Sequence, residues 1–522
     1  MASTFFGLTI AYSGLQAAQA SINVTAHNLS NVRTDGYTKE TAQKMAADSL
    51  RTYAPYGTLG SGVLVDEITQ TRDTYYDEKY RNNQTYYGEY EAKNNYMNQI
   101  ESFFNEFILN GYTEEYNNFF KNVNQVTLTP EDNSAKNSLI QSALSMADYF
   151  NYLSSNLKDI QEDANNEVKD AVEQINSLAQ SIYQLSKQIN QIEACYGNAN
   201  DLRDSRNALV DRLAQIVNIT TNEEDLGNNL TNFTINIDGN TLTNSYGYHE
   251  LVVSSRKDEE VRNNSDVSGL YNIKWDTGQE FNIYSASLGG QLKGLIDIRD
   301  GCNGQIEAVV TDDNGDYKYT EDGFFTTDFK DYDGKNTSFK GIPYYQAQLN
   351  KFMTIFAQAV NDVFKQGFSS DGETPGMSLF VIKDKQVAFS SSNVTVNKEL
   401  ALDPSKLATK SRINTGAANA DIIEKLSKLQ SAQIFNGGTG VYFLESIIAD
   451  ESIDTNKANN FLKNHTNLKT TIQNQRLSVM GVDFDEETMD LVTFKQAYDL
   501  SSKMMSVLNQ IYDKLINQTG VS

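Results

Sequence analysis

Both ends of the chain carry apolar residues at seven-residue spacing, and that repeat restricts each end to a long helix packed lengthwise on a partner. At the N-terminal end Leu8, Leu15, Ile22 and Leu29 form one series, and Ala11, Ala18 and Thr25 lie three positions further on. The second series is small, so a partner helix can approach closely. A helix over residues 5–31 would be about 40 Å long at 1.5 Å per residue, and Asp35-Gly36 is a turn signal after it. At the C-terminal end Leu491, Tyr498, Met505 and Tyr512 form one series, with Phe494, Ser501, Leu508 and Leu515 three further on. Asp485, Glu486 and Glu487 stand where that helix would start, suited to an N-cap and to the positive end of the dipole. Gly520 follows as a stop signal.

The N-terminal helix has no charged residue before Arg33, and its outward positions are Ser13, Gln16, Gln19, Asn23 and Asn28. A surface helix normally carries charge opposite its apolar stripe, so a helix uncharged all round points to burial all round. One home is the centre of a large domain. The other is a docked terminal helix, because chain ends fray unless tied down and isolated helices owe most of their stability to packing. The second reading has the two ends docking on each other and on neighbouring copies, mobile in the free chain and ordered in an assembly.

Between the ends the pattern changes twice. Val168, Ile175, Ile182 and Ile189, with Ala171, Leu178, Leu185 and Ile192, make a third heptad stretch. It is flanked by helical sequence at about 85–107, 114–127, 134–165 and 201–217, with Gly197-Asn198 as a break, so 71–217 reads as a long helical bundle. From Asn218 the chain turns rich in Asn, Asp, Gly and Thr. Phe233–Ile237 before Asp238-Gly239 reads as a hairpin, and Leu270–Trp275 and Glu280–Tyr284 as further strands. Helices are expected again at 344–366, 419–431 and 455–478, and short strands at 378–396. The expected fold is mainly α with a β-rich insertion: an elongated multi-domain chain with a terminal coiled coil, a long helical bundle and a β-rich outer domain. The segments are 1–70, 71–217, 218–341 (with an insertion near 301–341), a mixed return segment 342–478, and 479–522.

Composition removes several functions. The 522 residues hold 43 Lys and Arg against 68 Asp and Glu, a net charge of −25. That disfavours nucleic acid and anionic membrane surfaces, which need cationic neutralisation. Cys195 and Cys302 cannot build a disulfide framework, and His27, His249 and His465 are widely spaced. No H-E-x-x-H, P-loop or G-x-S-x-G occurs. Asp312-Asp-Asn314-Gly-Asp316 resembles the start of a calcium loop but has Tyr317 at the glycine position and Gly323 at the glutamate position, so an acidic turn is expected. Asp201, Asp204 and Asp211 among Arg203, Arg206 and Arg212 read as a salt-bridged solvent face. No catalytic, cofactor-binding or metal residue is assigned. No basic, apolar leader and no run of ~20 apolar residues for a membrane span is found.

Asn28-Leu-Ser-Asn31-Val-Arg-Thr34-Asp-Gly36-Tyr37-Thr38 resembles the N-terminal signature of the flagellar axial proteins, the family of rod, hook and hook-associated proteins. Phe494-Lys-Gln-Ala-Tyr498 and the segment Met505–Leu515 resemble their C-terminal helix. Gly62–Asp66, Arg72-Asp73, Tyr76-Asp77, Ile100–Glu106, Phe119-Phe120, Leu202–Asp211 and Gly289–Asp300 are similar to the hook-associated junction members, whereas 301–341 is the least family-like stretch. The resemblance implies a non-enzymatic structural protein at the junction of hook and filament, self-assembling into a ring or tubular layer. Implied partners are the hook protein, hook-associated protein 3 and an export chaperone holding the C-terminal helix. It also implies an extracellular address reached through the flagellum's own export channel without a cleaved signal. The assembly residues expected are the heptad positions of both ends together with Asn28, Asn31, Gly36 and Tyr37. The alternatives are another axial protein (hook protein or hook-associated protein 3) and an enzyme carried in 218–341. On the junction reading, Leu15→Asp or Leu508→Asp leaves a folded, soluble monomer but blocks incorporation at the hook tip; normal incorporation in a complementation assay contradicts it.

Overall fold

A computed structural model describes residues 5–51, 57–110, 112–257, 265–301, 305–309, 327–331, 339–370, 372–385, 387, 389–414, 416–435 and 438–518. In chain order the helices are α1 (Phe6–Asn31), α2 (Thr74–Asn110), α3 (Tyr112–Leu128), α4 (Asn133–Glu193), α5 (Asn200–Ile216), α6 (Gly290–Asp300), α7 (Ile342–Lys365), α8 (Lys398–Leu402), α9 (Asp421–Lys428), α10 (Gly440–Met480) and α11 (Phe484–Asp513). The strands of the terminal part are β1 (Glu40–Ala46), β2 (Leu50–Arg51), β3 (Thr58–Leu59) and β4 (Val63–Gln70). The middle adds β5 (Thr220–Gly227), β6 (Leu230–Ile237), β7 (Asn240–Thr243), β8 (Leu251–Ser255), β9 (Tyr271–Trp275), β10 (Gln305–Val309) and β11 (Thr327–Asp331). Four short strands follow: β12 (Phe368–Ser369), β13 (Phe380–Ile382), β14 (Val394–Val396) and β15 (Ala408–Lys410). The fold is mainly helical, with small antiparallel sheets.

The chain divides into two compact units, one of residues 1–85, 175–250 and 465–522, the other of 86–174 and 251–464. The helices α2, α4 and α10 therefore contribute to both units, as do the expected segments 71–217, 218–341 and 342–478.

In the first unit β1 and β4 form an antiparallel pair with a register shift between Gln43 and Lys44, and both pack on α1. Gly62 makes this approach possible: its φ is +108°, and a Cβ there would fall 2.1 Å from Ser13 Oγ. The Ser13 hydroxyl instead accepts the Val63 N–H at 3.2 Å. The strands β5–β6–β7 form a meander. Its turns are Asn228-Asn229 (φ +55° and +59°) and Asp238-Gly239 (φ +49° and +80°), the positive φ pairs that tight hairpins demand.

Residues 134–165 and the heptad stretch after them are one continuous helix of 61 residues. Val168, Ile175, Ile182 and Ile189 are buried throughout. The companion series starts buried at Ala171 and ends exposed at Ile192, while burial passes to Ala179, Ser186 and Glu193. An α-helix of 3.6 residues per turn drifts ~20° per heptad unless it supercoils, and α4 drifts.

In the second unit the core is aromatic and centred on α7. Phe352 stacks on Phe150, Phe356 and Phe435 with ring centroids 5.3, 5.8 and 5.0 Å apart, and Phe119, Phe120 and Tyr116 close around Phe356. Gly294 lets α6 meet α2 backbone to backbone, since a Cβ there would lie 2.5 Å from the Glu89 carbonyl oxygen. The carboxyl of Asp300 is fully enclosed between Arg256 and Arg299; these cations outweigh burial and hold it well below the usual carboxylate range.

One expectation needs correction. Glu280–Tyr284 is not a strand: Glu280 makes a single bridge to Lys274 and the chain then turns. The short helix α6 lies within the span 218–341 beside its strands. The helical stretch expected near 419–431 is α9 continued by a 3-10 turn at Leu429–Ser431. Cys302, the calcium-like segment Asp312–Asp316 and Gly520 lie outside the described residues, and between 302 and 338 only the paired strands β10 and β11 are described.

On α10, Glu451 is buried, 1% exposed, and accepts the Thr455 hydroxyl. Burial, helped by Glu101 and Asp454, pushes its carboxyl from the ordinary 4.5 up to about 7. The folded state thus holds this proton more tightly than the unfolded chain, so its contribution is fully present below about pH 4.5 and is lost as pH rises through about 7. Glu451→Gln keeps the acceptor and removes the charge. We expect it to match the parent in thermal unfolding near pH 4.5 and to exceed it by about 1–3 kcal/mol at pH 8; equal pH profiles contradict the assignment.

Candidate functional site: the paired terminal helices

The first and last helices run antiparallel against each other. On α1 the face turned to α11 carries Gly7, Gly14, Ser21 and Asn28, seven residues apart. Opposite them stand Leu508, Ser501, Phe494 and Glu487, also seven apart. A Cβ on Gly7 would lie 3.5 Å from Leu508, and one on Gly14 only 3.1 Å from the Ser501 hydroxyl. Ser21 and Phe494 line the same small cavity of about 60 Å³. Phe5 packs on Tyr512 with ring centroids 4.8 Å apart, and the Lys44 ammonium lies 4.1 Å above the Phe494 ring.

Asn28 is the polar end of this stripe and is 1% exposed. All four of its hydrogen-bonding positions are used. Its Nδ2 donates to the Glu40 carbonyl oxygen at 2.9 Å and to Glu487 Oε2 at 3.0 Å. Its Oδ1 accepts the Tyr37 hydroxyl at 2.8 Å and the Glu40 N–H at 3.0 Å. Burial, reinforced by Glu40, Asp201, Asp204 and Glu487, holds the Tyr37 phenol far above its ordinary value, so it remains a donor. Lys39 closes the cluster with 2.9 and 3.1 Å contacts to Glu486 and Glu487. The cap of α11 is Asp483, which accepts from the N–H groups of Asp485 and Glu486; the three acids read as cap candidates sit inside the first turn.

Asn31 ends α1, accepting the Thr34 hydroxyl at 3.1 Å and donating back to the His27 carbonyl at 3.2 Å. Gly36 follows at φ +82°, with its Cβ position 3.5 Å from Ala208. Next, Thr38 gives its N–H and hydroxyl to the two Asp204 carboxylate oxygens at 2.8 and 2.9 Å. From there a buried ion ladder begins. Arg72 bridges Asp204 and Asp77 at 2.8 and 2.7 Å. Arg476 bridges Asp77 and Asp211 at 2.7 and 2.6 Å, and Arg81 reaches Asp211 at 2.8 Å. Burial alone would lower the Arg476 guanidinium, but Asp211 and Asp77 outweigh it and raise it. Asp204 is raised by burial against the pull of its donors. The expected solvent face of α5 is thereby corrected: Asp204 and Arg206 are buried, and Arg203 pairs with Glu193 and Glu223 rather than along its own helix. Burial pushes Arg206 down to about 10.

The expected assembly residues fall as follows. Ala11, Ala18 and Thr25 are buried, while Leu8, Leu15, Ile22 and Leu29 are half-buried. Leu491, Phe494, Tyr498, Ser501, Met505, Leu508 and Tyr512 are half-buried on the α1 side of α11, and Leu515 is exposed. The apolar reading of α1 passed over Gly7, Gly14 and Ser21, whose lack of side-chain bulk is the signal. It also passed over a second apolar stripe on α11, formed by Met489, Val492, Leu500, Met504, Val507 and Ile511, which faces solvent; Met489 and Leu500 are 67% and 66% exposed. Among the described residues no group of three or more His, Cys, Asp or Glu could hold a metal, and no helix is long and apolar enough to cross a membrane.

Helical termini that pair with each other yet leave apolar surface open define a structural, assembly-type architecture. Residues 97–380, more than half of the chain, match the flagellar hook-associated protein FlgK helical domain. Residues 8–38 match the flagella basal body rod protein, and 473–518 the C-terminal part of flagellar basal body rod FlgEFG proteins. The chain is 26% identical over 538 residues to flagellar hook-associated protein 1 of Bacillus subtilis strain 168, spanning 100% of this chain and 99% of that one. It is 26% identical over 558 residues to flagellar hook-associated protein 1 of Escherichia coli K12, covering 97% and 98%. A solved flagellar hook junction protein FlgK from Burkholderia pseudomallei superposes with a TM-score of 0.42 at 20% identity, over 58% of this chain and 46% of that one. The chain belongs to the FlgK family of flagellar hook-associated proteins. It is a structural protein of the bacterial flagellum and associates with other flagellar axial proteins.

The ladder predicts its own test. Arg476→Leu leaves Asp77 with Arg72 alone and Asp211 with Arg81 alone, and is expected to cost about 1–3 kcal/mol, read as a lowered urea midpoint. Arg476→Lys recovers only part, because an ammonium cannot present a planar fork to two carboxylates.

Proposed function

We propose that this chain joins the hook of the flagellum to its filament, using the α1–α11 pair as the element that packs against neighbouring copies and adjoining axial proteins. The observation that carries the reading is the exposed apolar stripe of α11 beside its α1 contact face. Thr493 and Gln496 interrupt the stripe between Val492 and Leu500, but exposed apolar surface of this kind marks an interaction site, and six large apolar side chains left in water on one helix favour a partner that removes them. In the assembly the occupants are other copies of this chain in a ring or tubular layer, with the hook protein on one side and hook-associated protein 3 on the other. Before export the same stripe suits a chaperone, which would hand the chain to the flagellar channel for passage out of the cell. The role is mechanical and asks no catalysis of any residue. The helix pair gains lasting order as neighbours cover it, consistent with the half-exposed state of most of its residues.

The test separates the two faces of α11. Leu500→Asp with Met504→Asp changes only the open stripe, so the purified chain is expected to keep its helix content, and its unfolding free energy within about 0.5 kcal/mol. In a strain lacking the native protein it is expected to leave hooks without filaments and to release filament subunits into the medium. Normal filaments on the double variant would overturn the proposal.

A further inference from the structure

We infer that the Asn28–Glu487 pair fixes the register of α1 against α11, and so acts as a specificity-determining contact for assembly without touching a neighbour. This rests on the reading that the helix pair is the assembly element. The close contacts along the body of the seam repeat every seven residues on both helices: Gly7 and Gly14 lie against Leu508 and Ser501, and Ser21 and Phe494 come next in the series. A repeat cannot distinguish its own translations. Sliding one helix by a heptad, about 10 Å, sets Gly14 against Leu508 and Ser21 against Ser501, pairs of small and apolar residues much like the observed ones.

Asn28 breaks the degeneracy. In the slid arrangement it meets Phe494, which offers neither donor nor acceptor, and Glu487 passes beyond the end of α1 at Asn31. Sliding the other way puts Ser21 opposite Glu487 and leaves Asn28 past the start of α11 at Phe484. Either slide parts the Nδ2 of Asn28 from the Glu487 carboxylate. A buried polar group left unmatched is expensive, and a single buried Asn in an apolar seam is a known device for setting helix register. The hairpin side of Asn28 sharpens this. Its amide is held in one orientation by Tyr37 and both backbone groups of Glu40, so contacts other than Glu487 already aim Nδ2 at α11. Lys39 approaches the same carboxylate at 3.1 Å and adds charge. The consequence for assembly is geometric. The open stripe from Met489 to Ile511 is carried by α11, so a slide displaces it by a heptad relative to α1 and misaligns the composite face that a neighbouring copy meets.

The experiment is a spin-label distance measurement on the full chain. In a background with Cys195→Ser and Cys302→Ser, labels are attached at Gln19→Cys and Lys503→Cys, both exposed. The parent is expected to give one narrow distance. Asn28→Leu with Glu487→Leu is expected to add a population whose axial offset differs by about 10 Å. A second variant relocates the lock: Ser21→Asn with Asn28→Leu offers the amide one heptad earlier and is expected to move the main distance by one heptad. A single unshifted distance in both variants, or loss of pairing without any slid population, overturns the inference. Filament complementation of the same variants is scored separately: a slid register with normal filaments defeats the assembly reading and leaves the register inference standing, while an unshifted register without filaments does the reverse.

Discussion

The hydrogen bond from Asn28 to Glu487 joins residues 459 positions apart, and the last helix of the chain completes the first unit. The N-terminal side of the bond is held by its own contacts. The β1–β4 hairpin orients Asn28, Gly62 brings that hairpin onto α1, and Tyr37 supplies the remaining donor. Closing so long an intervening chain costs little more than closing one half as long, because loop entropy grows only logarithmically. A few well-placed polar contacts are therefore enough to settle how the ends meet, provided packing supplies the bulk of the energy.

The ion ladder serves the same end one layer deeper. Thr38 follows α1, Arg72, Asp77 and Arg81 lie before and within the first turns of α2, Asp204 and Asp211 are on α5, and Arg476 is near the end of α10. Four distant stretches of sequence are thus fixed by alternating charges in which each carboxylate has more than one donor. Buried ion pairs are weak evidence of net stability. Their value here is that wrong pairings would strand a charge, which makes the ladder a constraint on where the end of α10 sits.

Much of this was legible in the sequence because heptads, helix breaks and turn dipeptides act locally. The ends read as helices, and Asp238-Gly239 read as a hairpin turn. The residues that meet across the seam were harder, for a definite reason. A pattern search keyed to apolar residues selects Leu8, Leu15, Ile22 and Leu29, whereas the closest approach of two backbones is made where side chains are absent, at Gly7 and Gly14. The α5 acids misled for a related reason. Their spacing matched arginines on the same helix, but burial brought partners from α2 and α10 that sequence distance hides. Register drift in α4 was also invisible to a strict seven-residue count, since only a supercoiled helix keeps such a count in phase.

Two kinds of contact therefore share α11. The inward contact sets large side chains of α11 such as Phe494 and Leu508 against Gly7, Gly14 and Ser21 of α1 and closes on one polar pair, so it tolerates little change in bulk or register. The outward stripe is built from Met, Leu, Val and Ile, flexible or branched apolar residues that need only an apolar counterpart. This division suits a chain that must recognise itself with one geometry yet pack among neighbours that are not all alike. Shape and hydrogen bonding hold the internal pair in one arrangement, and hydrophobic burial, which is non-directional, leaves the external contact free to accommodate different subunits.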